Sequence, residues 1–213
     1  MNESNMNPVL TGPIWVVDDD EVRNTIRFAL ATHGLHARTF SSGEDFFSNV
    51  QIRQKGVLVV DLHMHGMSGL DVQAELIRRD SPIATIILSG RPTIRSAVQA
   101  MSNGAISFLE KPVDPEELCQ RILEGLQISE CRYQRKSMQA LIDGLSKREK
   151  QVFDFICQGR RNTEIADILH LSTRTVEVHR AHILRKFAPY SPMQVLDYLN
   201  QCNATLARRM LNG

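Results

Sequence analysis

Three consecutive carboxylates, Asp18, Asp19 and Asp20, follow a short apolar run, and a fourth, Asp61, follows another. Ser89 and Lys111 stand directly after two further apolar runs. Carboxylates gathered into one small volume repel, and a hard divalent cation relieves that repulsion. Mg2+ suits such a site because it uses one or two carboxylates, keeps waters and binds phosphoryl oxygens. A carboxylate nucleophile, a cation, a hydroxyl and an ammonium are what phosphoryl transfer to an aspartate requires. The transition state spreads negative charge over three oxygens, and Mg2+, Lys111 and Ser89 can take one each. An acidic cluster alone is more often a solvated loop; Ser89 and Lys111 at matching positions argue against that here. His63 and His65 have no further His or Cys beside them in sequence and are read as unliganded side chains.

This chemistry needs a scaffold that brings distant positions to one edge. In the first half, β-branched runs at 14–17, 57–60 and 83–88, with weaker ones at 37–40 and 106–109, alternate with amphipathic helical patterns at 22–32, 42–49, 70–79, 93–102 and 116–126. Five strands alternating with five helices predict a parallel sheet covered on both faces. Right-handed crossovers make it a flavodoxin-like, doubly wound fold, whose ligands bind at the carboxyl ends of the strands. The last of these helices is expected to run on as a polar helical linker toward Leu141.

The second half reads as all helix. Ser146 and Glu149 fit a capping box ahead of Val152, Phe153 and Ile156, with Gly159 closing that helix. A short helix over 164–170 follows, Ser172 caps another over 173–187, and Ser191-Pro192 opens a fourth. Projected at 100° per residue, Val176, Ile183 and Phe187 form a buried stripe with Leu184 beside them. Arg174, Val178, Ala181 and Arg185 lie opposite, flanked by Glu177. In a helix-turn-helix the first half of the second helix meets base edges. Arg174, Glu177, Val178 and Ala181 are therefore base-reading candidates, and Asn162, Thr163, Thr175 and Arg185 are phosphate-contact candidates.

Charge divides the same way. Residues 1–128 carry 11 basic and 16 acidic residues, and residues 129–213 carry 14 and 8. A basic half favours nucleic acid as partner. No apolar run approaches the length of a membrane helix, the start lacks a secretory pattern, and the four cysteines form no C-x-x-C pair. Those features predict a cytoplasmic chain with no membrane partner.

Val17-Asp18-Asp19, Asp61 with Met64 and Gly66-Met67-Ser68-Gly69, Ser89-Gly90, and Phe108 with Glu110-Lys111-Pro112 together resemble the receiver domain of two-component response regulators. The resemblance implies that Asp61 accepts a phosphoryl group from a sensor histidine kinase. It implies that Asp19, Asp61 and the His63 carbonyl hold Mg2+, with Asp18 acting through water. Lys111 would pair with the phosphoaspartate across a cis Lys111-Pro112 bond, and Ser89 and Phe108 would switch. His65 stands where the family usually has Pro, and Ser89 where Thr is commoner. Leu145-Ser146-x-Arg148-Glu149, Asn162, Ile165-Ala166, Thr175-Val176, His179-Arg180 and Lys186 resemble the LuxR-type DNA-binding domain. Thr163 stands where a Lys is common, and Ala188-Pro189-Tyr190 where a Gly-containing turn is usual.

The whole resembles FixJ-type members of the NarL/FixJ group: a receiver over 11–128, a helical linker over 129–142 and a LuxR-type helix-turn-helix domain over 143–213. The implied function is a DNA-binding transcriptional response regulator of a two-component phosphorelay, not an enzyme. Its implied partners are double-stranded DNA, the kinase, RNA polymerase and, on phosphorylation, a second copy meeting through Arg95, Val98, Gln99 and Met101. Two rivals remain open: a constitutive DNA binder with an unresponsive receiver, and a signalling intermediate that reads no DNA.

Overall fold

The computed structural model describes residues 12–18 and 20–212, without the side chains of residues 20, 21 and 208–212. Five short apolar segments pair in parallel: β1 (Ile14–Val17), β2 (Ala37–Phe40), β3 (Val57–Asp61), β4 (Ala84–Ser89) and β5 (Ser107–Glu110). Their order is β2-β1-β3-β4-β5, with helices α1 (Asp20–Thr32), α2 (Gly43–Asn49), α3 (Gly69–Arg78) and α4 (Ile94–Ser102) in the crossovers. Side chains alternate faces along a strand. Trp15, Val17, Leu58, Val60 and Ile87 share one buried cluster with Phe46, Val72 and Ala100 from α2, α3 and α4. Intervening residues such as Val16, Val59 and Ile86 are also fully buried. α5 (Pro115–Asp143) covers that side, where Gly125 lies against Val57 and Ala84.

The chain divides between Tyr133 and Gln134 into two compact units. In the first, α5 remains tied to the sheet past Ile128. The buried Ser129 hydroxyl accepts from Gly56 N at 2.8 Å, and Glu130 pairs with Lys55. In the second, Met138 of the same helix is buried with Val152, Phe153, Ile165 and Val176.

That second unit continues with α6 (Lys147–Cys157), α7 (Asn162–Leu169), α8 (Thr173–Phe187) and α9 (Pro192–Asn212). Ser146 and Glu149 form the expected capping box, and Gly159 at φ 74° follows the helix end. Ser172 caps α8 by accepting from Thr175 N. α7 begins two residues before its expected start, because the Glu164 carboxylate accepts from Arg161 N at 2.8 Å and so caps the earlier turn. Val176, Ile183 and Phe187 are fully buried, whereas Leu184 is half exposed. After α8 the chain turns through a cis Ala188-Pro189 bond, and Tyr190 meets Tyr198 edge-on. Among the described residues no helix is long and apolar enough to cross a membrane.

Candidate functional site

The strand order makes β1 and β3 neighbours, in a register that pairs Val17 with Val60. Asp18 and Asp61, one position further on, therefore lie side by side at the carboxyl edge. This is where the strand order reverses and where such sheets bind ligands. Asp18 is fully buried and Asp61 nearly so. Lys111, just past β5, joins them: its Nζ lies 2.7 Å from Asp18 Oδ2 and 3.1 Å from Asp61 Oδ1. Lys111-Pro112 is cis.

Asp61 and Ser89 are the last residues of their strands rather than the first beyond them. Asp61 is paired with Leu88, and Ser89 with Glu110. Ladder pairing extends one residue past the apolar runs and fixes both backbones. The buried Ser89 Oγ accepts from Arg91 N at 3.2 Å, which leaves its own O–H to donate into the pocket. Phe108 is partly buried against the sheet cluster. His63 and His65 are exposed, and Asp19 lies outside the described residues.

Among the described residues no three His, Cys, Asp or Glu side chains come together as a metal-binding group. Two adjacent buried carboxylates against one ammonium leave the pocket electron-rich. An all-oxygen donor set with two carboxylates is the kind that hard cations such as Mg2+ take.

Two supports of this pocket come from the structure: Glu44, which no sequence pattern marked, and the close approach behind Gly69 of the Gly66-Met67-Ser68-Gly69 motif. Glu44, on α2, accepts from Met67 N at 3.0 Å and so holds the loop that follows β3. Hydrogen bonds from backbone N–H and from Ser42 and Met67 keep its carboxyl below the usual range. Its partner is 23 residues away, beyond any local pattern. The second is Gly69, where a Cβ would come 2.5 Å from the Asp61 carbonyl oxygen. Because that neighbour is backbone, Gly69→Ala is expected to cost about 1–3 kcal/mol. Gly90→Ala, with nothing within 4 Å, is expected to stay within about 0.5 kcal/mol of the parent. Urea midpoints of the two variants check this pair.

In the second unit, Arg174, Glu177, Val178, Ala181 and Arg185 all face solvent along α8. Arg174 and Glu177 form a loose exposed pair at 3.5 Å, which costs little to part. Thr163 is exposed at the start of α7. Thr175 is half-buried, its hydroxyl 2.8 Å from Ser172 Oγ, and the Asn162 side chain is held by Arg180.

An acidic strand-edge pocket on one unit and an exposed basic helix-turn-helix on the other define a protein that receives a signal and acts on DNA. The response regulator receiver domain family matches residues 14–123, and the luxR family of bacterial regulatory proteins matches residues 143–199. The response regulator TmoT of Ectopseudomonas mendocina is 38% identical over 81% of both chains. The transcriptional regulatory protein FixJ of Rhizobium meliloti is 35% identical over 81% of this chain and 87% of its own. Among solved structures, the response regulator StyR superposes with a TM-score of 0.65 at 32% identity, covering 89% of this chain and 98% of that one. This chain belongs to the two-component response regulators that join a receiver to a LuxR-type DNA-binding domain.

Proposed function

We propose that this chain is a phosphorylation-dependent transcription regulator, with a receiver over 11–128, a helical linker over 129–142 and a DNA-binding domain over 143–213. Asp61 is the phosphoacceptor in this reading. The observation that carries it is Lys111 lying against both Asp18 and Asp61 at the switch point of the sheet. A carboxylate oxygen of Asp61 attacks the phosphorus of a sensor kinase's phosphohistidine. The O–P bond forms as the N–P bond breaks, and the departing imidazole keeps the electron pair. Asp19, Asp61 and the His63 carbonyl, with Asp18 through water, would hold Mg2+, which offsets charge on the phosphoryl oxygens when bound. Lys111 then turns from the carboxylates to the phosphoryl group, and Ser89 donates its hydroxyl to it. Incubation with acetyl phosphate and Mg2+ should add one phosphoryl group by intact mass, and EDTA should prevent it. An unchanged mass would overturn the reading.

Moving Ser89 draws the loop Gly90-Arg91-Pro92 and opens space near Phe108, so a local charge event biases a two-state element. The face of α4 supports dimerisation as the consequence. Ile94 is 86% exposed and Val98 59%, an apolar surface fit for a reversible symmetric contact. Sedimentation of the phosphorylated chain is expected to give dimers at micromolar concentration, and Val98→Asp to keep it monomeric. A monomer at full phosphorylation would favour release of an inhibitory contact instead.

On DNA, Arg174, Glu177, Val178 and Ala181 read bases, while Asn162, Thr163, Thr175 and Arg185 position the domain on phosphates. Regulation through RNA polymerase in the cytoplasm, without enzymatic turnover, completes the proposal. The relatives' names as transcriptional regulators support it.

A further inference from the structure

Arg180 lies on α8 beside the buried stripe, off the exposed face that carries Arg174, Val178 and Ala181. Its Nη1 donates to Asn162 Oδ1 at 2.6 Å, joining α8 to the first residue of α7. A guanidinium can only donate, so this bond fixes which way the amide points. The oxygen faces Arg180, so the two N–H donors of Nδ2 point away from that tie. The first backbone N–H groups of α7 lie at the same end and lack intrahelical acceptors. The acid of that turn, Glu164, is already engaged by Arg161 N and by Arg160 at 3.0 Å.

We propose that Arg180 is a positioning residue for DNA binding: it aims the Asn162 amide donors at a backbone phosphate and places a cation behind them. The proposal rests on the reading of this unit as a DNA binder. The alternative is a cross-tie that only braces α7 against α8.

Asn162→Asp separates the two. It keeps an oxygen for Arg180 and turns the tie into an ion pair, favourably placed at a helix start. It also replaces the outward donors with an acceptor. The full chain is titrated by anisotropy with a fluorescein-labelled, mixed-sequence 30-bp duplex at several salt concentrations, and its thermal midpoint is measured in parallel. For N162D the expected midpoint is at or above the parent's, with affinity at least roughly tenfold lower. For Arg180→Ala the expected result is a similar loss and a log K against log salt slope shallower by about 0.9. A parent that binds with salt dependence, alongside N162D binding equally well or R180A keeping the full slope, would overturn this proposal and leave the DNA-binding reading intact. A parent that binds no duplex at all would overturn both.

Discussion

Asp61→Asn is expected to abolish phosphorylation by acetyl phosphate while leaving the receiver folded. The amide is nearly isosteric with the carboxylate but is not a nucleophile. Nothing in the surroundings of Asp61 requires its charge for folding. Its backbone is held in the sheet opposite Leu88, and Leu62 N donates to Leu88 O at 2.7 Å. Lys111 keeps Asp18 at 2.7 Å after the change, so the ammonium and the buried carboxylate still compensate each other. The substitution also removes a like charge facing Asp18. The urea midpoint is therefore expected to equal or exceed the parent's. Intact mass checks the chemistry: one phosphoryl group on the parent and none on the variant. A phosphoryl group persisting on D61N would place the acceptor elsewhere and remove the basis for the pocket's assignment.

Glu149→Ala is expected to have the largest effect on stability. Glu149 is 4% exposed and closes the capping box of α6, accepting from Ser146 N at 2.7 Å. The same carboxylate takes Lys186 Nζ of α8 at 2.7 Å, and His182 lies 3.8 Å away. The Lys186 hydrogen bond, then the Ser146 N–H, hold its pKa at about 2. Losing the cap and a charge-assisted bond together costs about 3 kcal/mol. For a unit of this size that lowers Tm by at least about 10 °C. The pH dependence has a definite sign. A carboxylate whose folded pKa is depressed contributes stability that is fully present above its unfolded value of 4.5 and is lost as pH falls through about 2. Thermal melts of the parent should therefore fall across that window, and those of Glu149→Gln should fall less. An E149A variant within about 1 kcal/mol of the parent would show that the hub is not what fixes α6 against α8.

The pocket was legible because its parts stand at the ends of apolar runs, and a parallel sheet gathers strand ends at one edge. Asp18, Asp61, Ser89 and Lys111 needed only the strand order to meet. The strand ends were less legible: Asp61 and Ser89 are polar and interrupt the runs, yet ladder pairing retains them. The start of α7 was obscured because Arg161 has no capping side chain, although a Glu three residues later signals the turn. Leu184, apolar beside the buried stripe, stays half exposed, so the buried face of α8 is narrower than its apolar pattern. Glu44 and Arg180 were out of reach because each acts on a segment far away in sequence. Gln73 shows the same limit. It is polar in a helix yet buried, and its Nε2 donates to Ala100 O of α4 at 3.0 Å.

Phosphorylation of Asp61 is expected to raise the affinity of the DNA-binding domain. This is tested most directly by selecting a binding site from a random duplex library and titrating the full chain on it by anisotropy, with and without acetyl phosphate and Mg2+. Two tethered domains on paired half-sites gain from effective concentration. The phosphorylated chain is thus expected to bind at least about tenfold more tightly, with D61N unresponsive. Equal affinity of the phosphorylated and unphosphorylated chain for the selected site would contradict the account and favour a constitutive DNA binder.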